Sequence, residues 1–169
     1  MKYMIDPVAD NIFNAVSSTM TKRGVVEVEP KTEADWEKIR IGGVSLAEGA
    51  YLLKIRRPIT PPGEDNVTGP DAAVLSAAQI GAKLEADPVM WNAKIEALRN
   101  VGLEVLDIVK RKDVNELWDA SENLDNACES CHLEYWYPGE KDLFKRLDRR
   151  LREFNLSQQN RDTTAKPQK

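Results

Sequence analysis

Five consecutive positions, Cys128-Glu129-Ser130-Cys131-His132, hold both cysteines and the single histidine of a 169-residue chain. The spacing Cys-x-x-Cys-His is the attachment signature of c-type haem, in which two thiols become thioethers to the porphyrin vinyl groups and the adjacent imidazole takes the iron as proximal axial ligand. On a helix, residues three and four apart share a face, so Cys128, Cys131 and His132 can all address one side of a flat macrocycle. Three other chemistries use some of the same residues. A redox pair of thioredoxin type would normally follow a strand in a βαβ pattern, and nothing upstream of Cys128 reads as such a strand. A structural zinc site needs about four ligands, so a carboxylate would have to join the three residues present. A structural disulfide beside a surface histidine is the third.

The elements that must carry this motif are helical. Charged residues make up 31% of the chain and aromatics 7%, and the alternation of β-branched and aromatic residues that marks strands is almost absent. The length fits one ordered domain with a disordered end. A net charge of −4 and a pI near 5.2 argue against a nucleic-acid surface, and two haem propionates would add more negative charge. No apolar run is long enough to span a bilayer. Nor does Met1-Lys2-Tyr3-Met4-Ile5-Asp6 resemble a secretory leader, because Asp6, Pro7 and Asp10 interrupt where an apolar stretch would lie. Haem attachment to cysteines belongs to the far side of the bacterial cytoplasmic membrane. The expectation is therefore a periplasmic protein whose leader or anchor is absent from this numbering.

Along the chain, a first helix is predicted from Asp6 to about Thr21, with Asp6 as N-cap, Pro7 at the first helical position and Gly24 as stop. Its apolar stripe is Val8, Ile12, Val16 and Met20, widened by Ala9 and Phe13. Val25-Val26-Glu27-Val28-Glu29-Pro30 is the single strand-like stretch and reads as an extended connector, since six residues ending in proline cannot found a sheet alone. Thr32 caps a second helix to about Ile55, whose inward face is Trp36, Ile39, Gly43, Leu46, Ala50 and Leu53. Gly42, Gly43, Gly49 and Ala50 are small for a helix interior, which implies close approach of either another helix or a haem edge.

From Pro58 to about Val74 the sequence reads as a mobile crossover. Ser76 opens a short helix to about Ala86, and Asp87-Pro88 opens a long one to about Arg111, with Trp91, Ile95, Leu98, Gly102, Val105 and Val109 inward. Asp113 starts the next helix almost at once, so the two must be antiparallel neighbours. On this last bundle helix Val114, Leu117, Ser121, Leu124, Cys128 and Cys131 fall on one seam, which would set the cofactor in the bundle core. Tyr135-Trp136-Tyr137-Pro138-Gly139 ends it; these aromatics read either as core-edge packing or as a wall for the haem, Tyr135 and Trp136 being the wall candidates. A further amphipathic helix is predicted from Glu140 to about Asn155, with a basic face of Lys141, Lys145, Arg146, Arg149, Arg150 and Arg152, and a disordered tail follows Leu156. The expected organisation is residues 1–138 as haem-binding bundle, 139–156 as added helix and 157–169 as tail.

Four main helices with Cys128-x-x-Cys131-His132 on the last, Asp6-Pro7 on the first, Trp36 on the second and Trp91 on the third resemble the class II cytochromes c, the superfamily of cytochrome c prime and its low-spin relatives. The resemblance covers about Asp6 to Pro138. It implies an all-α, antiparallel four-helix bundle of cytochrome c prime type, here with an extra C-terminal helix, holding one covalent haem c. The chain departs from the pattern by continuing more than thirty residues past the motif. In the low-spin relatives a methionine near the start of the first helix binds the iron opposite the histidine, and by that likeness Met4 is the preferred sixth ligand, with Met1 the alternative and Met20 and Met90 read as core fillers. In cytochrome c prime itself an apolar residue blocks that side.

The resulting expectation is a mono-haem electron carrier that meets a redox partner protein, not an enzyme, since no acid-base constellation accompanies the motif. A five-coordinate protein binding nitric oxide or carbon monoxide, and a structural cytochrome subunit docked to a membrane or larger assembly through the basic last helix, are the alternatives. A homodimer is left open.

Overall fold

The computed structural model describes residues 3–60, 74–140 and Arg149. It is mostly helical, with five helices and one two-stranded sheet: α1 (Asp6–Phe13), β1 (Ser17–Thr21), β2 (Gly24–Val28), α2 (Glu33–Leu52), α3 (Ala77–Ala86), α4 (Pro88–Arg111) and α5 (Val114–Tyr135). Four helices begin where a short polar side chain accepts from an otherwise orphaned backbone N–H. Thr32 and Asp35 form a reciprocal capping box on α2, Ser76 and Gln79 another on α3, and Asp87 and Asp113 cap α4 and α5. At α1 the expectation fails: Ile5 occupies the cap without a side-chain bond, and Asp6 is already helical.

The larger correction follows α1. The helix stops at Phe13 instead of running to Thr21, and Ser17–Thr21 pairs antiparallel with Gly24–Val28, so the segment read as a connector is one strand of a hairpin. Ser and Thr lose little by leaving a helix, and the β-branched residues on both sides pair well across strands, as in Thr19 opposite Val26. Gly24 supplies the positive φ, +116°, that closes the turn. Val16 is the last residue of the old stripe to be buried, at 3% exposure, whereas Met20 stands 79% exposed on the hairpin. Met20 is therefore no core filler, and neither is Met90, which is 45% exposed at the start of α4.

The helices pack around Ile12, Ile39, Leu46, Ile95, Val105, Ile108, Leu117 and Leu124, all fully buried. Val8 and Ile12 meet Gly42, and Ile5 meets Gly49, so α1 runs antiparallel to α2. Gly43 and Ala47 meet Gly102, and Lys54 bonds Glu96, so α2 and α4 are likewise antiparallel. Lys112 turns the chain in the left-handed region (φ 54°) and Asn123 reaches back to Glu104, which makes α4 and α5 a third antiparallel pair. Closing the circuit, α1 touches α5.

The glycines of α2 serve this packing and not a cofactor edge. A Cβ on Gly102 would lie 2.7 Å from the Ala47 nitrogen and 2.9 Å from the Gly43 carbonyl oxygen, and one on Gly42 would lie 2.8 Å from the Val8 carbonyl. Helix backbones that close leave no layer between them.

The crossover between α2 and α3 lies largely outside the described residues. So do the amphipathic helix expected from Glu140 to about Asn155, apart from Glu140 and Arg149, and the tail beyond it. No helix among the described residues is long and apolar enough to cross a membrane.

Candidate haem-attachment site

Helix spacing and antiparallel pairing bring the chemistry to one end of the molecule. The start of α1, the end of α2, the start of α4 and the end of α5 meet there, and α3 is pinned across it. Lys83 of α3 donates to the Glu134 carbonyl at 2.8 Å and its carboxylate at 3.0 Å, and the Leu75 N–H donates to the Trp136 carbonyl at 2.7 Å.

Cys128, Cys131 and His132 occupy one turn of α5, as their spacing predicts. Both cysteines are half-buried and unbonded to each other, and Cys128 packs against the main core cluster. The predicted seam holds at Leu117 and Leu124, while Ala120 takes the buried place expected of Ser121. Burial pushes both thiols up to about 11. Around Cys128, the carboxylates of Asp125 and Asp6 and the neighbouring Cys131 add to the rise; at Cys131 the ammonium of Lys94 opposes it. Asp6 lies in the first turn of α1, and α1 and α5 are in contact.

His132 is held from its own helix. Its Nδ1 lies 3.3 Å from Glu129 Oε1 and 3.2 Å from the Tyr137 hydroxyl, which itself donates to Glu129 Oε1 at 2.7 Å. Trp136 stands edge-on to the imidazole at 5.3 Å and 89°. The two residues expected to form one wall thus separate. Trp136, 45% exposed, stays with the histidine, whereas Tyr135 is buried and packs edge-on to Trp91 of α4 at 5.2 Å. The Tyr135 hydroxyl is fully buried and has no hydrogen-bond partner among the described residues.

These residues fit a covalently held haem on three counts. Two unbonded thiols and an imidazole sit within one helical turn. Burial that penalises a thiolate does not penalise a thioether, which carries no charge, whereas a zinc ligand or a thioredoxin-type nucleophile must be a thiolate. And a buried hydroxyl without a partner among the described residues has donor capacity to spare for a polar group. Attachment needs no oxidant, because each S–H adds across a vinyl double bond, sulfur to one carbon and hydrogen to the other. Among the described residues no three His, Cys, Asp or Glu side chains are grouped so as to hold a metal ion.

Of the sixth-ligand candidates, Met4 lies two residues before Asp6 and is 53% exposed; Met1 lies outside the described residues. Between them and the helix, Ile5 is the residue turned inward, 3% exposed and against Gly49. The sequence placed Tyr137 only within the aromatic cluster, with no contact of its own to His132, and did not single out Glu129. The signal for Glu129 was its place three residues before His132 on a helix; Tyr137 follows the helix end, where the backbone turn that brings it back onto the ring has no simple sequence mark. Compared with protein-family models, with curated proteins and with solved structures, the chain matches none.

Proposed function

We propose that the chain is a mono-haem c-type cytochrome of the class II kind, an antiparallel four-helix bundle that carries electrons in the periplasm to or from a partner protein. The observation that carries this reading is the convergence of both cysteines and the only histidine on one turn of α5, at the end of the molecule where the start of α1 meets it. Bound haem would supply a one-electron ferric/ferrous couple. Cys128 and Cys131 would hold it through thioethers, and His132 would offer an imidazole to its iron. Trp136 and Tyr137 shield that imidazole from water, while Trp91 and Tyr135 close the inner side. Electron transfer asks for little else, since a rigid surround that keeps the ligands in place lowers the reorganisation needed between oxidation states. The lysines and arginines that follow Glu140 in the sequence would supply positive charge for an acidic redox partner or assembly.

A second reading has one observation in its favour. Ile5, not Met4, is buried at the start of α1, and an apolar residue at the sixth position would leave the iron five-coordinate and open to nitric oxide or carbon monoxide. Optical spectra of the reduced protein with and without carbon monoxide separate the two. Low-spin bands indifferent to carbon monoxide, turning high-spin in Met4→Ala, are expected for the carrier. Ready carbon monoxide binding by the unaltered protein would contradict the carrier and establish the gas-binding form.

A further inference from the structure

We propose that Glu129 is a positioning residue for His132 and sets the reduction potential of the haem, with the Tyr137 hydroxyl opposing it. This rests on the reading of His132 as the proximal ligand.

A carboxylate can only accept a hydrogen bond. Glu129 Oε1, 3.3 Å from His132 Nδ1, therefore selects the imidazole tautomer with its proton on Nδ1. Tyr137 directs its own proton to the same Oε1 at 2.7 Å, so its oxygen, 3.2 Å from Nδ1, faces the ring as an acceptor. Nδ1–H is thus shared between two oxygens and Nε2 keeps its lone pair for a metal. The edge-on Trp136 ring at 5.3 Å limits rotation of the imidazole out of this arrangement. The two partners then act in opposite senses. Negative charge on Glu129, passed through the Nδ1–H bond, makes Nε2 a stronger donor and favours the ferric state. The Tyr137 proton withdraws part of that charge, since an oxygen accepting a short hydrogen bond from a hydroxyl accepts less from the imidazole. Outer partners of a metal-bound histidine typically carry about 10–100-fold in metal affinity or activity, and with Glu129 43% exposed and His132 26%, solvent screening puts the effect on the redox equilibrium at the small end of that order.

The test is spectroelectrochemical titration of the purified holoprotein and its Glu129→Gln and Tyr137→Phe variants, with the iron–histidine stretching band, read for each in a Met4→Ala background whose reduced iron is five-coordinate, as second readout. Glu129→Gln keeps an acceptor but removes the charge. Its expected result is a potential raised by about tenfold in the ferric/ferrous equilibrium, ~59 mV for one electron, and a weakened iron–histidine band. Tyr137→Phe should move both readouts the other way, by less. A residue that merely supported the fold would not give opposite signs. Potentials unchanged, or shifted in one direction by both variants, with haem attached throughout, would overturn the inference and leave the haem reading intact. Should Glu129→Gln fail to accumulate as holoprotein, Tyr137→Phe decides alone: a lowered potential supports the proposal and a raised or unchanged one overturns it. Unaltered protein without covalent haem would overturn both.

Discussion

Two contacts in this molecule are built from opposite materials. Where α2 crosses α4, Gly43, Ala47 and Gly102 let the backbones approach until a single added carbon would overlap them. Where α5 ends, it faces its neighbours with two half-buried thiols and a buried tyrosine that packs on the Trp91 indole of α4 and whose hydroxyl has no hydrogen-bond partner among the described residues. The first contact is complete without any ligand. The second leaves, among the described residues, one buried hydroxyl unpaired and side chains that a bonded group would bury further. Small residues in a helix therefore say only that something large comes close; the partner's identity lies in which backbone atoms face them.

If the glycine seam is the structural contact, it should tolerate change worst. Gly102→Val places a branched side chain against Ala47 and Gly43 backbone atoms that cannot swing away, and should cost toward the upper end of about 1–3 kcal/mol, measured by urea denaturation of the purified protein. A cost below about 0.5 kcal/mol would mean that the α2–α4 approach is looser than described. Cys128→Ala with Cys131→Ala, by contrast, should abolish covalent haem while costing the apo chain only about 1–2 kcal/mol, read from far-UV circular dichroism and the same denaturation. Loss of the fold in the apo double variant would make the thiols structural.

Much of this was legible in the sequence, and for a physical reason. Thr32, Ser76, Asp87 and Asp113 start helices because their short side chains satisfy backbone donors within three residues, so the cause is local and visible in the letters. The buried faces of α2 and α4 follow from the three-and-four rhythm for the same reason. The hairpin was not legible, because its cause is the pairing of Ser17–Thr21 with Gly24–Val28, and the four-residue spacing of Val8, Ile12, Val16 and Met20 imitates a helix across the break. In the site, the one-turn grouping of Cys128, Cys131 and His132 was set by spacing alone. The separation of Tyr135 from Trp136 was not, since it depends on Trp91 arriving from α4 and on α3 being fastened by Lys83.

Two smaller effects sharpen the contrast between local and distant causes. Thr32→Ala removes one half of the α2 capping box and should cost about 1 kcal/mol. The same box makes an acid signature. Hydrogen bonds from the Thr32 side chain and from backbone N–H groups hold the Asp35 carboxyl below its usual value of 3.8. A depressed carboxyl stabilises the fold fully above the unfolded value and loses that contribution as pH falls through the folded one. Asp35→Asn should therefore flatten part of the stability loss below about pH 4, and an unchanged acid profile would count against the capping geometry. Least of all, Met20→Ser on the hairpin should change stability by less than about 0.5 kcal/mol; a loss of about 2 kcal/mol or more, the cost of emptying a core site, would place Met20 in the interior and restore the longer first helix.

The central claim is most directly tested by the intact mass of the denatured protein, after expression in cells that export it and attach haem to cysteines. The account predicts a mass greater than the polypeptide's by one haem, with the increment absent when Cys128 and Cys131 are both replaced. A mass equal to that of the amino acids alone, or lower by the two hydrogens of a Cys128–Cys131 disulfide, would contradict it.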